Sequence, residues 1–264
     1  MSFLNAVQGL ADSALGWHEL SAAQKTLCLY GVLMAAVLLP TYALSWVDVR
    51  TLREVGIWAK PMKFMAGTAL FALTTVGLTL LVPSQVGHEQ SFQWIAALII
   101  VTSLFEVVYI SYQASLGEGS HYNTTDPVRA ILFGLMAVAA VGLVASQAWL
   151  AWVIWKALGT AVLTPTVVAV LLGLTLTFVL STVSGFMLGG RQPPAGVGWP
   201  VVGWHTWQDL RPAHFFAVHA QQFIPLVGIL AERVAGQAAM PVVLTFTSAY
   251  IAAWLALSWM GMAA

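Results

Sequence analysis

Charge is what this sequence has least of. Lys, Arg, Asp and Glu together make up 8% of its 264 residues, against about 25% in an average soluble protein. Hydrophobic residues account for 59%, so too few charged side chains remain to form the polar shell of a soluble domain. Ten basic residues are balanced by ten acidic ones, which leaves no basic footprint for a nucleic acid. The composition excludes a soluble enzyme, a disordered chain and a nucleic-acid-binding protein, and it predicts a polytopic membrane protein.

Cysteine is almost absent as well. The single Cys28 lies in an apolar run, which excludes a disulfide framework and a cysteine-built zinc or iron–sulfur site. The chain has no Gly-x-Ser-x-Gly elbow and no phosphate-binding loop, so acyl hydrolysis and nucleotide-driven work have no support. Its last apolar segment lacks the lysine that a retinal protein would need.

The apolar residues that are present form seven stretches of membrane-spanning length, roughly 20 residues each. The sixth is the least hydrophobic, because it contains two His and two Gln. Residues 1–20 are too polar to span and are predicted to form an amphipathic helix at the interface. The sequence therefore predicts an all-α fold, a polytopic transmembrane helix bundle in one domain with about seven spanning helices. The predicted spans are residues 26–46, 57–82, 92–116, 128–155, 161–188, 212–230 and 241–262.

The distribution of basic residues predicts the orientation in the membrane. Loops on one side, with the adjoining helix ends, carry Arg50, Arg53, Lys60, Lys63, Arg129, Arg191 and Arg211, whereas the other side has Lys25, Lys156 and Arg233. Since Lys and Arg are enriched on the cytoplasmic side, the first side is expected to face the cytoplasm. We expect a multi-pass protein of the bacterial inner membrane, with its N-terminus outside.

The intramembrane polar residues converge on that same face. The second segment begins there, the third ends there and the sixth begins there, whereas the opposite leaflet looks nearly all apolar. This arrangement predicts one polar pocket in one leaflet between those three segments. Its members are Lys60-Pro61-Met62-Lys63-Phe64; Glu106, Tyr109 and Gln113, followed by Ser120-His121-Tyr122-Asn123; and Arg211, His214, His219, Gln221 and Gln222.

Glu106 is the most informative single residue in this pocket. A charged side chain at the centre of a spanning helix costs about 2.5–3.5 kcal/mol on insertion scales, so it normally faces a partner or a cavity. Lys63, at a similar depth on the antiparallel second segment, is the expected partner. The pair either fixes two helices or also lines a functional pocket, with Glu106 and Lys63 as its catalytic residues.

Three histidines point to a cofactor. His121 with His214 or His219 could supply axial ligands to haem b, or ligands to a transition metal. His214 and His219 are about 140° apart around a helix, so one ion cannot easily take both. Gln113, Gln221, Gln222 and Arg211 would then complete the binding pocket. The alternative is that these histidines are hydrogen-bonded or interfacial residues without a ligand.

At these motifs the sequence resembles a family of multi-pass bacterial membrane proteins to which no activity is assigned. The resemblance rests on Lys60–Phe64 (Lys-Pro-x-Lys-Phe), on Ser120–Asn123 (Ser-His-Phe/Tyr-Asn) and on Asp209–His219 (Asp-Leu-Arg-x-x-His-Phe-x-x-x-His). The chain departs from the family pattern at Ser115-Leu116, where the family has Ala-Arg, and at Gln208 before Asp209. The resemblance implies that the three motifs belong together, but it implies no reaction.

Three functional hypotheses follow. The first is a haem- or metal-binding oxidoreductase in which Glu106 and Lys63 handle protons and a membrane quinone exchanges electrons. The second is a transporter or channel for a small polar solute or a proton, with the Glu106–Lys63 pair as its switch. The third is a structural subunit, in a homo-oligomer or a larger membrane complex, where the polar pocket only holds helices together. The residues leave open whether the site is catalytic.

Overall fold

A computed structural model describes residues 16–199 and 202–263. The predicted interfacial helix over residues 1–20 lies largely outside the described residues, which include only its last part, a 3₁₀ turn at Trp17–Glu19. The eight α-helices of the described chain are α1 (Ala22–Val47), α2 (Ala59–Thr79), α3 (Gln90–Leu116), α4 (Pro127–Leu158), α5 (Pro165–Gly189), α6 (Arg211–Val218), α7 (Ala220–Val234) and α8 (Ala239–Met262). A short hairpin of β1 (Thr51–Leu52) and β2 (Val55–Gly56) joins α1 to α2, and 3₁₀ turns at Ser84–His88 and Gly236–Ala238 join two later pairs of helices.

The helix bundle predicted from composition is the fold of the described chain. Six of these helices are long and apolar enough to cross a membrane, and α6 with α7 makes a seventh if this bent pair is one span. Helix starts follow local sequence: the Ser21 side chain caps α1, and Asp126 caps α4, accepting the backbone N–H groups of Val128 and Arg129. Pro127 then occupies the first turn of α4, where a missing N–H is harmless.

The sixth predicted span is broken rather than continuous. Helices α6 and α7 meet at His219 with a bend of 50°. Neighbouring helices take up the backbone groups at the break: the Phe216 carbonyl accepts a 2.5 Å hydrogen bond from the Tyr250 hydroxyl of α8, and the Gln221 N–H donates to Thr177 of α5 at 2.9 Å. Broken helices are tolerated at membrane depth where protein side chains satisfy the backbone in this way.

We call the side on which α2 begins, α3 ends and α6 begins the site face, and the other side the far face. The main core packs α1, α2 and α3 against α4 and α5, while α6, α7 and α8 form a second group against α5. The loop between α5 and α6 lies on the site face. Asp209 and Leu210 of this loop are buried, and Trp204 packs on Phe215 with ring centroids 5.2 Å apart.

Helices α5 and α7 are in close contact at Gly228. A Cβ atom added there would overlap the Ala169 Cβ and lie 3.2 Å from the Pro165 carbonyl oxygen. We expect Gly228→Ala to lower the free energy of unfolding by about 1–3 kcal/mol, because the helices would have to move apart. The matched control is Gly134→Ala in α4, where nothing lies within 4 Å of the added atom. Thermal unfolding in detergent compares the two, and equal unfolding temperatures would contradict the prediction.

Candidate functional site

Lys60 links the first two sequence motifs. From the first turn of α2 its ammonium group donates to the Ser120 hydroxyl and to His121 Nδ1, both at 2.9 Å. Phe64, one turn further along α2, lies edge-on to the His121 ring with centroids 6.3 Å apart. The Lys-Pro-x-Lys-Phe and Ser-His-Tyr-Asn motifs are therefore in direct contact.

The loop between α3 and α4 is built to hold His121 against α2. Gly117 ends α3 in the left-handed conformation (φ +75°), which glycine adopts without a steric penalty. Tyr122 also has a positive φ (57°), and its hydroxyl donates to the carbonyl oxygens of Leu188 and Arg191 at the end of α5. These contacts tie the loop to α5, so that His121 faces inward rather than towards the solvent.

Glu106 is buried in α3, with 6% of its surface exposed. It lies ten residues before the end of the helix, which at 1.5 Å per residue is about 15 Å, half the thickness of the hydrocarbon core. Among the described residues its carboxylate has no hydrogen-bond donor within reach and no cation within 4 Å. The cation that interacts with it electrostatically is Lys60. The expected Glu106–Lys63 pair is therefore wrong: the partner is Lys60, without a contact ion pair.

Lys63 contacts the loop before α6 instead. Its ammonium group donates to the Val202 carbonyl at 2.6 Å, and the charges it senses are Arg211 and Asp209. Lys63 lies one helical turn after Lys60 in sequence. Its side chain is exposed and reaches the loop before α6 rather than the interior of the bundle. Sequence spacing could not distinguish the two lysines, because both lie near the start of the same helix.

Asp209 and Arg211 form the third motif's ion pair beside Lys63. The Asp209 carboxylate accepts two hydrogen bonds from the Arg211 guanidinium, at 2.7 and 2.8 Å, and one from the His205 N–H at 2.8 Å. Arg211 also donates to the Gly203 carbonyl. Burial raises the pKa of Asp209, but these hydrogen bonds outweigh it and hold the pKa below its usual value. The pair fixes the loop where α6 begins.

His214 brings α6 into the same cluster. Its Nδ1 lies 3.0 Å from the Ser184 hydroxyl of α5. Gly185 of α5 lies beside the same ring, where an added Cβ would be 3.8 Å from His214 Cε1. His214 and His121 are close enough to interact electrostatically. We call Lys60, Glu106, Ser120, His121, Ser184 and His214 the polar cluster.

Hydrogen bonding assigns complementary tautomers to the two histidines. An ammonium group only donates, so His121 Nδ1 accepts from Lys60 and its ring proton is on Nε2. The single proton of the Ser184 hydroxyl has the Leu180 carbonyl oxygen at 2.8 Å, nearer than His214 Nδ1 at 3.0 Å. With the proton on that carbonyl, the hydroxyl accepts from His214 Nδ1–H, and a lone pair is left on His214 Nε2. Neither Nε2 has a partner among the described residues. One ring thus offers a donor and the other an acceptor.

Of the other residues predicted to line the site, some contact neighbouring helices and others only their own helix. His219 Nδ1 lies 3.3 Å from Gln222 Oε1, and the Gln222 amide donates to Thr74 of α2 at 3.2 Å. Gln221 is fully buried; its backbone N–H donates to Thr177 of α5, and both amide atoms of its side chain are unpartnered in the described chain. Gln113 donates to the Tyr109 hydroxyl at 2.8 Å, along its own helix.

The opposite leaflet is not apolar, which corrects the expectation from sequence. Towards the far face, the Gln147 amide lies 3.5 Å from the Thr75 hydroxyl and 2.9 Å from the Ser146 hydroxyl. Closer to that face, the Gln24 amide donates to the Thr79 hydroxyl at 2.8 Å. Isolated threonines and glutamines in apolar helices do not stand out in the sequence, and their pairing requires the helices to be packed.

The side chains that could bind a metal ion are few in this site. In the described parts of the chain, no three His, Cys, Asp or Glu side chains are grouped so as to hold a metal ion. His214 interacts electrostatically with both His121 and His219, and His219 Nδ1 also lies 3.3 Å from Gln222 Oε1. Comparison of the chain with protein-family models, with curated proteins and with solved structures finds no match.

Acidification is expected to destabilise the protein through His121. Burial and the Lys60 charge lower the pKa of His121 from 6.5 to about 3, and His214 adds to this. Between these values the unfolded chain binds the proton and the folded chain does not, so stability falls as the pH falls from about 6.5 towards 3. We expect His121→Gln, which cannot titrate, to lose less thermal stability in detergent between pH 7 and pH 5 than the unmodified protein. An equal loss in both would contradict the assignment.

Proposed function

We propose that this protein moves protons across the membrane, alone or coupled to a small polar solute, with Glu106 as the group that takes and releases the proton. The observation that carries the proposal is the state of that carboxylate: it is buried at mid-membrane depth with no hydrogen bond and no contact ion pair among the described residues. Intramembrane carboxylates that are not neutralised by a fixed partner are typical of proton relays.

Lys60 is the counter-charge in this proposal. Two of the three donors of its ammonium group are used by Ser120 and His121, so the third remains for the Glu106 carboxylate or for water between them. Protonation of Glu106 would remove the attraction and release Lys60 to its loop partners. The proton state of one residue would thus be coupled to the position of the α3–α4 loop.

The complementary histidines supply a route to this pair. The His121 Nε2–H can donate and the His214 Nε2 can accept, so water between them would complete a hydrogen-bonded path. Lys63, Asp209 and Arg211 lie at the same face, where a proton would enter. With the basic residues concentrated at this face, we place it on the cytoplasmic side of a bacterial inner membrane.

The test is proton flux in proteoliposomes. Purified protein is reconstituted with the pH dye pyranine inside, and a potassium gradient with valinomycin drives proton entry. We expect acidification well above that of protein-free vesicles. Flux equal to that of empty vesicles, both with and without candidate polar solutes, would overturn the proposal.

A second candidate is a haem- or metal-binding protein of the membrane, exchanging electrons with a quinone. It is favoured by the lone pair on His214 Nε2 beside a second imidazole. It requires His121 to give up the Nε2 proton, because the hydrogen bond from Lys60 holds the tautomer that cannot bind a metal through Nε2. A Soret band or stoichiometric metal that is lost in His214→Gln would support it, and a colourless, metal-free preparation would contradict it.

The two assays also separate both candidates from a structural subunit. A protein that lies within a larger membrane complex should show neither flux nor a cofactor, and should co-purify with large partners. Its assembly should then be indifferent to replacement of His121, His214 and His219.

A further inference from the structure

A row of hydroxyl groups on α2 continues from the polar cluster towards the far face. Thr68, Thr75 and Thr79 are buried and spaced i, i+7 and i+11, so they share one face of the helix. Lys60 begins the same helix at the site face. Counting the rise of about 1.5 Å per residue, Thr68 lies about 12 Å beyond Lys60 and Thr79 about 28 Å beyond it. The row therefore extends through the hydrocarbon thickness.

The two threonines nearer the far face, Thr75 and Thr79, each have a glutamine from another helix opposite them. Thr75 faces the Gln147 amide of α4, and Thr79 accepts a 2.8 Å hydrogen bond from the Gln24 amide of α1. The Gln24 carbonyl in turn accepts the Ser21 N–H at the start of α1. Polar groups from three helices thus line one path to the far face.

Gln147 has an unpaired polar atom on this path. The residue is fully buried, and its carbonyl oxygen has no hydrogen-bond partner among the described residues. Leaving a buried polar atom unpaired costs about 1–3 kcal/mol, and such atoms are normally satisfied by ordered water. Gln147, Ser146 and Thr75 offer the polar partners that a buried water needs.

We infer that ordered water molecules bind along Thr68, Thr75–Gln147 and Thr79–Gln24, and connect Glu106 to the far face. This inference rests on the proposed function, because it provides the exit for a proton taken up at Glu106. The alternative is that the threonines and glutamines only hold the helices together, as small polar residues commonly do in membranes. The two roles differ in what an isosteric substitution changes.

The first test is flux through a pair of Thr75 variants. Thr75→Val has the same shape without the hydroxyl, whereas Thr75→Ser keeps the hydroxyl. We expect Thr75→Val to reduce proton flux at least tenfold and Thr75→Ser to retain most of it. The control is Thr102→Val in α3. Both hydroxyls donate to a carbonyl of their own helix, Thr75 to Phe71 at 2.9 Å and Thr102 to Leu98 at 2.7 Å, but only that of Thr75 also has an amide from another helix opposite it in the described chain. Unchanged flux in Thr75→Val, with wild-type flux present, would overturn the inference and leave the proposed function standing.

The second test does not depend on flux. In a Cys28→Ala background, Thr75→Cys and Thr102→Cys are each exposed to silver ions in proteoliposomes, and remaining thiols are counted with a maleimide after unfolding. A water-filled path predicts that the Thr75→Cys thiol is blocked several-fold faster than the Thr102→Cys thiol. Equal, slow blocking of both would overturn the inference even if no proton flux is found, in which case the proposed function fails separately.

Discussion

Proton flux through the reconstituted protein should fall at least tenfold when Glu106 is replaced by glutamine. The substitution keeps the size and shape of the side chain but removes the group that can gain and lose a proton. Glu106 makes no hydrogen bond to any residue that the structure describes, so the substitution breaks none. It removes the negative charge that interacts with Lys60, but it also removes an intramembrane charge that costs about 2.5–3.5 kcal/mol on insertion scales. We therefore expect the variant to fold, which thermal unfolding in detergent checks.

A matched control separates the position of the carboxylate from its chemistry. Glu118→Gln alters a carboxylate at the site face, outside the bundle, where it pairs with Arg129 at 2.6 Å. We expect its flux to stay close to that of the unmodified protein. Glu106→Asp, which retains a titratable group on a shorter side chain, should keep part of the flux. A Glu106→Gln protein that conducts normally would refute the central role of this residue.

Loss of Arg211 should produce the largest change in stability. In Arg211→Gln the Asp209 carboxylate, only 1% exposed, keeps its backbone donors but loses the guanidinium. Removing one partner of a buried ion pair typically costs about 3–5 kcal/mol, because the remaining charge is uncompensated. Unfolding followed by circular dichroism in detergent measures the change. The control is Arg50→Gln, whose ion pair with Asp48 is half exposed and, being screened by solvent, should contribute far less to stability.

The pH dependence of the Arg211→Gln variant provides an independent check. In the unmodified protein the pKa of Asp209 is held below 3.8, so its stabilising contribution is present above pH 3.8 and is lost as the pH falls through the folded value. Without Arg211, burial should raise that pKa, and acidification should relieve the buried charge. The difference in stability between the two proteins should therefore narrow as the pH is lowered towards 4. A difference that widens would mean that Asp209 is not the residue left unpaired.

Much of the site could be located from the sequence because charge is so rare in it. A charged or imidazole side chain within an apolar segment needs a partner, and the alternation of helices places the start of the second segment, the end of the third and the start of the sixth on one face. His121 and His214 do come together there, beside a lysine of the Lys-Pro-x-Lys-Phe motif. The capping residues Ser21 and Asp126 likewise mark helix starts through local hydrogen bonds.

What the sequence by itself determined is thus the class of fold and the face that carries the polar cluster, since both depend on composition and on helix length. Only the tertiary structure decided which lysine faces Glu106, because Lys60 and Lys63 differ by one turn and their directions depend on the loops they meet. The break at His219 and the row of threonines leading to the far face were also decided there. A bend depends on partners such as Tyr250 and Thr177 from other helices, and an ordinary Thr or Gln becomes part of a path only when packing brings another polar group opposite it.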